Sequence, residues 1–97
     1  MDGDSKRAPI SLEPAAGRDR LEALGVHDWP IYASGVDDFE HRFAQDETCY
    51  VIEGEVTVTP RGGASFVFRK GDLATFARGT VVRWDMRVPF RKHYRLG

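Results

Sequence analysis

The sequence predicts an all-β chain, a sandwich or barrel of short antiparallel strands preceded by one short helix. Three observations predict it. Apolar and polar residues alternate with a period of two from Trp29 onward, glycine- and proline-rich turns interrupt that alternation at close, regular intervals, and no 3.6-residue period survives beyond that point.

The chain is 97 residues long, enough for one hydrophobic core and too short for two. Residues 1–13 are polar, charged and aperiodic and read as a flexible N-terminal tail. Residues 14–97 read as a single domain. A helix is expected over 14–24: Pro14 suits a first helical turn, Leu21 and Leu24 share a face, and Gly25 suits the position just past the end. Seven or eight strands follow. Phe39, His41 and Phe43 alternate with charged residues. Residues 48–53 form a β-rich run ending at Gly54. Val56 and Val58, then Phe66 and Phe68, alternate with their neighbours, and residues 73–76 are short and mostly apolar. Val82, Trp84 and Met86 share one parity, as do Phe90, Lys92, Tyr94 and Leu96. Pro60-Arg61-Gly62-Gly63, Lys70-Gly71-Asp72 and Ala77-Arg78-Gly79-Thr80 supply the turns.

Composition excludes several function classes. The formal net charge of -1, with basic residues scattered among acidic ones, offers no field or stripe for nucleic acid or an anionic membrane. No apolar stretch approaches membrane-spanning length, and residues 1–10 carry charges without the apolar run of a signal peptide. Cys49 is the sole cysteine, so no internal disulfide forms; together these features lead us to expect a cytoplasmic setting. Ser5, Ser11, Ser34 and Ser65 sit in no nucleophile motif.

Two stretches resemble the paired motifs of the cupin superfamily. Glu47-Thr48-Cys49-Tyr50-Val51-Ile52-Glu53-Gly54 resembles the end of the first. Gly71-Asp72-Leu73 through Phe76-Ala77-Arg78-Gly79 resembles the second, with Ala77 in place of its proline. Trp29-Pro30-Ile31, Arg83-Trp84-Asp85 and Pro89-Phe90-Arg91-Lys92-His93-Tyr94 extend the likeness to small single-domain cupins grouped with the ureidoglycine aminohydrolase-type cupin domain, over residues 21–96. The resemblance implies a jelly-roll antiparallel β-barrel. It does not fix an activity, because many chemistries share this fold.

The metal-binding members of that superfamily resemble one another in supplying three histidines and a glutamate. Here Glu47 matches the glutamate, and His41 stands at one histidine position on the shorter spacing. Phe43 and Val82 occupy the other two, and on the longer spacing the first pair of positions holds Glu40 and Arg42. His41 and Glu47 are therefore the weak metal candidates, and two ligands fall short of the three a catalytic metal needs. His41 reads as a packed strand residue, and the spacing of His27 and His93 suggests no chelate. No tightly held cofactor is expected; the alternative is a divalent metal on this reduced set plus a third, unidentified residue.

The resemblance places Glu47 inside the barrel, and period two then adds Cys49 and Val51, with Val82, Trp84 and Met86 opposite. The same rule puts Lys92 among Phe90, Tyr94 and Leu96. A charge on a buried face needs a partner, which we expect to be Glu47. The pair reads either as a functional site, with a depressed lysine pKa giving a base or a carbonyl-reactive amine, or as a structural ion pair. Cys49 reads either as a reactive thiolate or as a small buried hydrophobe. Glu47, Lys92 and Cys49 are thus the catalytic candidates. Trp29, Tyr32 and Trp84 suit either stacking on a planar ligand or core packing. Arg83, Arg91 and Arg95 fall on the outer face, with Asp85 as an expected partner. The ligand-binding set is Glu47, Cys49, Trp84, Lys92, Tyr94 and Trp29. The function expected is binding of a compact polar metabolite in the barrel. The alternatives are a metal-dependent enzyme acting on a small ureido, amide or carbonyl compound, and a non-catalytic structural or regulatory dimer. The expected partners are a small-molecule ligand and a second copy in a homodimer.

Overall fold

The computed structural model describes residues 9–97. Its order is β1 (Ile10–Glu13), α1 (Arg18–Leu24), a 3₁₀ turn (Val26–Asp28), β2 (Ile31–Ser34), β3 (Asp37–Arg42), β4 (Glu47–Glu53), β5 (Glu55–Pro60), β6 (Phe66–Arg69), β7 (Leu73–Phe76), β8 (Val81–Met86) and β9 (Phe90–Leu96). A five-stranded sheet runs β1-β7-β4-β9-β2, and a four-stranded sheet runs β3-β8-β5-β6. Every pairing is antiparallel. This is the two-sheet jelly-roll architecture that the motifs imply, with eight strands after the helix where seven or eight were expected.

The core forms because the alternation holds on facing strands. Cys49 and Val51 of β4, Val56 and Val58 of β5, Phe68 of β6, Ala74 and Phe76 of β7, and Val82, Trp84 and Met86 of β8 are buried together with Phe90 of β9. Phe43 stacks flat on Phe76, with centroids 4.6 Å apart, while Phe68, Trp84 and Phe90 meet edge to face. Such geometries suit the ring quadrupole and fix the stacking of the layers. Gly54 joins β4 to β5 at φ +76°, and a Cβ there would collide with the Pro89 carbonyl oxygen, so the turn is closed to side chains.

Two expectations at the N-terminal end need correction. The helix begins at Arg18, with Gly17 as its cap, and Pro14 lies in a turn before it. Gly25 ends it in the left-handed conformation as expected. The last residues assigned to the tail are a strand: Ile10–Glu13 pair with Leu73–Phe76 along the edge of the larger sheet. A four-residue strand carries too little alternation to be read locally, and its pairing is tertiary. Residues 1–8 of the expected tail lie outside the described residues. Asp72 ties this region down, its carboxylate accepting the backbone N–H of Ala15 and of Arg69.

Candidate functional site

A cavity of about 440 Å³ opens between β2 and β9 on one side and β3 and β8 on the other. Tyr32, Phe39, His41, Trp84 and Tyr94 form its walls. Phe43, Glu47 and Lys92 are buried at its floor, while Arg42, Ala44, Gln45 and Leu96 lie exposed at its mouth.

The sheet geometry explains why the floor is polar. Lys92 sits opposite Val51 in the β4–β9 ladder, directly beside the irregularity between Val51 and Glu53. Its stem runs along the inner face past Cys49 and reaches Glu47, whose backbone lies further along β4. The Lys92 ammonium donates to Glu47 Oε2 at 2.8 Å and to Cys49 Sγ at 3.4 Å. The Cys49 thiol donates to the same Oε2 at 3.0 Å. The two charged side chains are only 9% and 11% exposed, so the pair is screened little by water. The aromatic walls add to it: Nζ stands 4.6 Å from the Trp84 ring centroid and 5.4 Å from that of Tyr32. Both distances are within cation–π range.

Protonation states follow from these neighbours. Burial acts against the charge on Lys92, yet the Cys49 sulfur and the Glu47 carboxylate outweigh it and hold the pKa above the ordinary 10.5. Burial pushes the Cys49 thiol up from 9.0, and Glu47 adds to the rise, while adjacent Lys92 opposes it. Lys92 is therefore an ammonium and Cys49 a thiol at neutral pH. The depressed lysine pKa and the reactive thiolate entertained from sequence are both corrected. Burial lowers the His41 pKa below 6.5, with Lys92 helping and Glu47 opposing, so its imidazole is neutral. That ring packs edge-on against Phe43 at 4.5 Å.

The donor set does not suit a divalent metal. Among the described residues no three histidine, cysteine, aspartate or glutamate side chains gather as ligands. Glu47 Oε2 already accepts two hydrogen bonds, one of them from a full positive charge that a cation would have to approach. Glu47 Oε1 takes no hydrogen bond from the described residues and is left for the cavity. An ammonium has three N–H donors, and two are engaged, which leaves one.

The structure brings together Glu47, Lys92, Trp84 and Tyr94, with His41 alongside. Cys49 lies beneath them, touching the pair without lining the cavity. Trp29 is elsewhere: it precedes β2, its ring carries the Arg95 guanidinium at 4.8 Å, and its carbonyl meets His93 Nδ1 at 2.9 Å. Its inclusion in the ligand set is corrected. His27 and His93, far apart in sequence, pack edge to face at 5.7 Å. Arg83 pairs with Asp38 on β3 through two hydrogen bonds of 2.8 and 2.6 Å, whereas Asp85 pairs with Arg87. Sequence reasoning missed Phe39, Arg42 and Gln45. The parity shared by Phe39 and His41 was a usable signal for the first; the others line a mouth shaped by the β3–β4 connection, which no period describes.

The family profile of the EutQ-like cupin domain matches residues 21–94 of the chain. No curated protein matches it. Among solved structures, a DUF861 family protein from Thermotoga maritima is 40% identical, with a TM-score of 0.86 over 91% of this chain and 99% of that one. A protein of unknown function from the same family in Pseudomonas syringae is 25% identical, with a TM-score of 0.62 over 66% of this chain and 28% of that one. The EutQ protein of Clostridium difficile shares the fold at 20% identity, with a TM-score of 0.59 over 66% of this chain and 46% of that one.

Proposed function

The chain belongs to the EutQ-like cupin domain family, and from that premise we propose that its barrel binds a compact, partly apolar metabolite without a tightly held metal. The polar head of that ligand presents a donor and an acceptor side by side. Its N–H or O–H meets Glu47 Oε1, and its carbonyl accepts the remaining Lys92 proton. A carboxamide has this pattern, as do the ureido and amide compounds implied by the ureidoglycine aminohydrolase likeness. The cavity volume lies in the usual range for small-molecule sites, and an aromatic wall with a few convergent polar groups is their usual lining. Tyr32, Trp84 and Tyr94 offer flat faces to a planar body.

The observation that carries this reading is the hydrogen-bonded Lys92–Glu47 pair at the floor of an aromatic-lined cavity. The same electrostatics favour binding over covalent chemistry. A protonated lysine and a protonated thiol are both poor nucleophiles, and a nucleophile needs a base or a lowered pKa to act.

Terephthalamide, a planar ring with a carboxamide head, tests the proposal by calorimetric titration. The wild-type protein binds it, and Lys92→Met weakens binding by about tenfold to a hundredfold, the usual worth of a hydrogen bond to a charged group. Circular dichroism at the titration temperature establishes that the variant is folded. Equal affinity in folded Lys92→Met, or no binding by the wild type, contradicts the proposal.

A further inference from the structure

The charge of the cavity as a whole is unbalanced. Its charged lining groups are Arg42, Glu47 and Lys92, with His41 held neutral by burial. Lys92 and Glu47 neutralise one another at 2.8 Å on the floor. Among the described residues that leaves the positive charge of Arg42 at the mouth without an acid beside it. Arg61 pairs with Glu40, Arg83 with Asp38, Arg87 with Asp85 and Arg91 with Glu53, while Arg95 lies over Trp29; Arg18, Arg69 and Arg78 make no ion pair among the described residues, but none of them lines the cavity. Arg42 has no acid within ion-pair distance among the described residues, and it alone of the arginines lines the cavity. Asp46, nearby in sequence, is engaged by the backbone N–H of Arg78 at 2.8 Å.

The position of Arg42 gives that charge a direction. It ends β3 one residue beyond His41, which faces inward, so the pleat turns it outward to the rim, while the β3–β4 connection carries Ala44 and Gln45 round the same opening. A guanidinium there offers forked N–H donors that match a carboxylate. We propose that the ligand is a monoanion, held by its hydrogen-bonding head on Glu47 and Lys92 and by a carboxylate-type group at its other end on Arg42, which makes Arg42 the residue that selects for ligand charge. This rests on the reading of the cavity as a metabolite pocket. It adds a ligand class: planar or compact acids whose negative charge is separated from a neutral polar head.

A matched series isolates the charge. Terephthalamate, terephthalamide and 4-(aminomethyl)benzamide share the carboxamide and ring and differ only in an anionic, neutral or cationic tail. Calorimetric titration of the wild-type protein ranks them anion over neutral over cation, with terephthalamate about fivefold tighter than terephthalamide, the scale of a partly exposed ion pair. Arg42→Gln, at an exposed site with no ion pair among the described residues, removes that preference, so that terephthalamate and terephthalamide bind the variant equally. A preference weakened by 0.5 M sodium chloride in the wild type agrees with a rim-exposed contact. If terephthalamide and terephthalamate bind wild type equally, or the preference survives Arg42→Gln, the charge selection is wrong while the pocket reading stands. If none of the three binds, both are wrong.

Discussion

Lys92 is a full charge built into the inner face of a small barrel, and its environment decides what it does there. Removing an ammonium from water is costly, so the residue persists inside only because Glu47 and the two flanking rings replace the lost hydration. His41, in the same cavity, is not so balanced: burial together with Lys92 outweighs the compensation from Glu47. Its lowered pKa means that the unfolded chain takes up a proton more readily than the folded one. The sign follows directly: for a basic group with a depressed folded pKa, stability is intact above the ordinary value of 6.5 and falls as the pH drops through it. Thermal melts from pH 7.5 to 5 are therefore expected to show a falling midpoint, and His41→Phe, which keeps a ring on the Phe43 edge, is expected to flatten that decline. An unchanged slope in the variant assigns the acid sensitivity elsewhere. Lys92 and Cys49 act at the other end of the scale. Both pKa values are raised, so their contributions persist below about pH 9 and are lost as the pH climbs beyond their ordinary values of 10.5 and 9.0.

At the scale of elements, the turn from β4 to β5 fixes where Glu47 and Lys92 meet. Gly54 at positive φ lets β5 leave β4 immediately and lets Pro89 and Phe90 pack against the turn, which sets the start of β9 and so the register of Lys92. Gly54→Ala brings both left-handed strain and a steric collision with backbone, and is expected to lower stability by more than about 1 kcal/mol. Gly62→Ala, also at positive φ but with open space around its Cβ position, is expected to cost less. Chemical denaturation of the two variants compares them, and equal losses would place the whole effect in the backbone angle. The strands were legible from sequence because each keeps one apolar parity against a wet face. So were Glu47, Cys49, Trp84 and Lys92 as inward-facing residues, since one register assignment carries all of them. Ile10–Glu13 was not, because its strand character comes from β7 rather than from its own pattern. Trp29 was misplaced because it lies before β2, where parity has no meaning, and Arg42 was overlooked because a rim residue is chosen by loop shape rather than period.

At the scale of the molecule, two sheets share one interior and divide it. The side bounded by β4 to β8 is filled with rings and branched chains, while the side bounded by β2, β3, β8 and β9 stays open around a paired charge. A solid core would have been the more stable use of the same volume, since buried ion pairs are often outdone by apolar residues of similar size. An open, aromatic-walled space with a paired charge at its base suits recognition of a small polar ligand, and Lys92 supplies a fixed positive charge there. The side-chain ammonium of Lys92, observed by proton–nitrogen NMR near neutral pH, tests this most directly. The chain has only three lysines, so loss of one signal in Lys92→Met assigns it. An ammonium resonance protected from rapid proton exchange, which shifts when terephthalamide is added to saturation, is expected. A signal with the exchange of a solvent-exposed lysine, or a protected one unmoved by bound ligand, would contradict it.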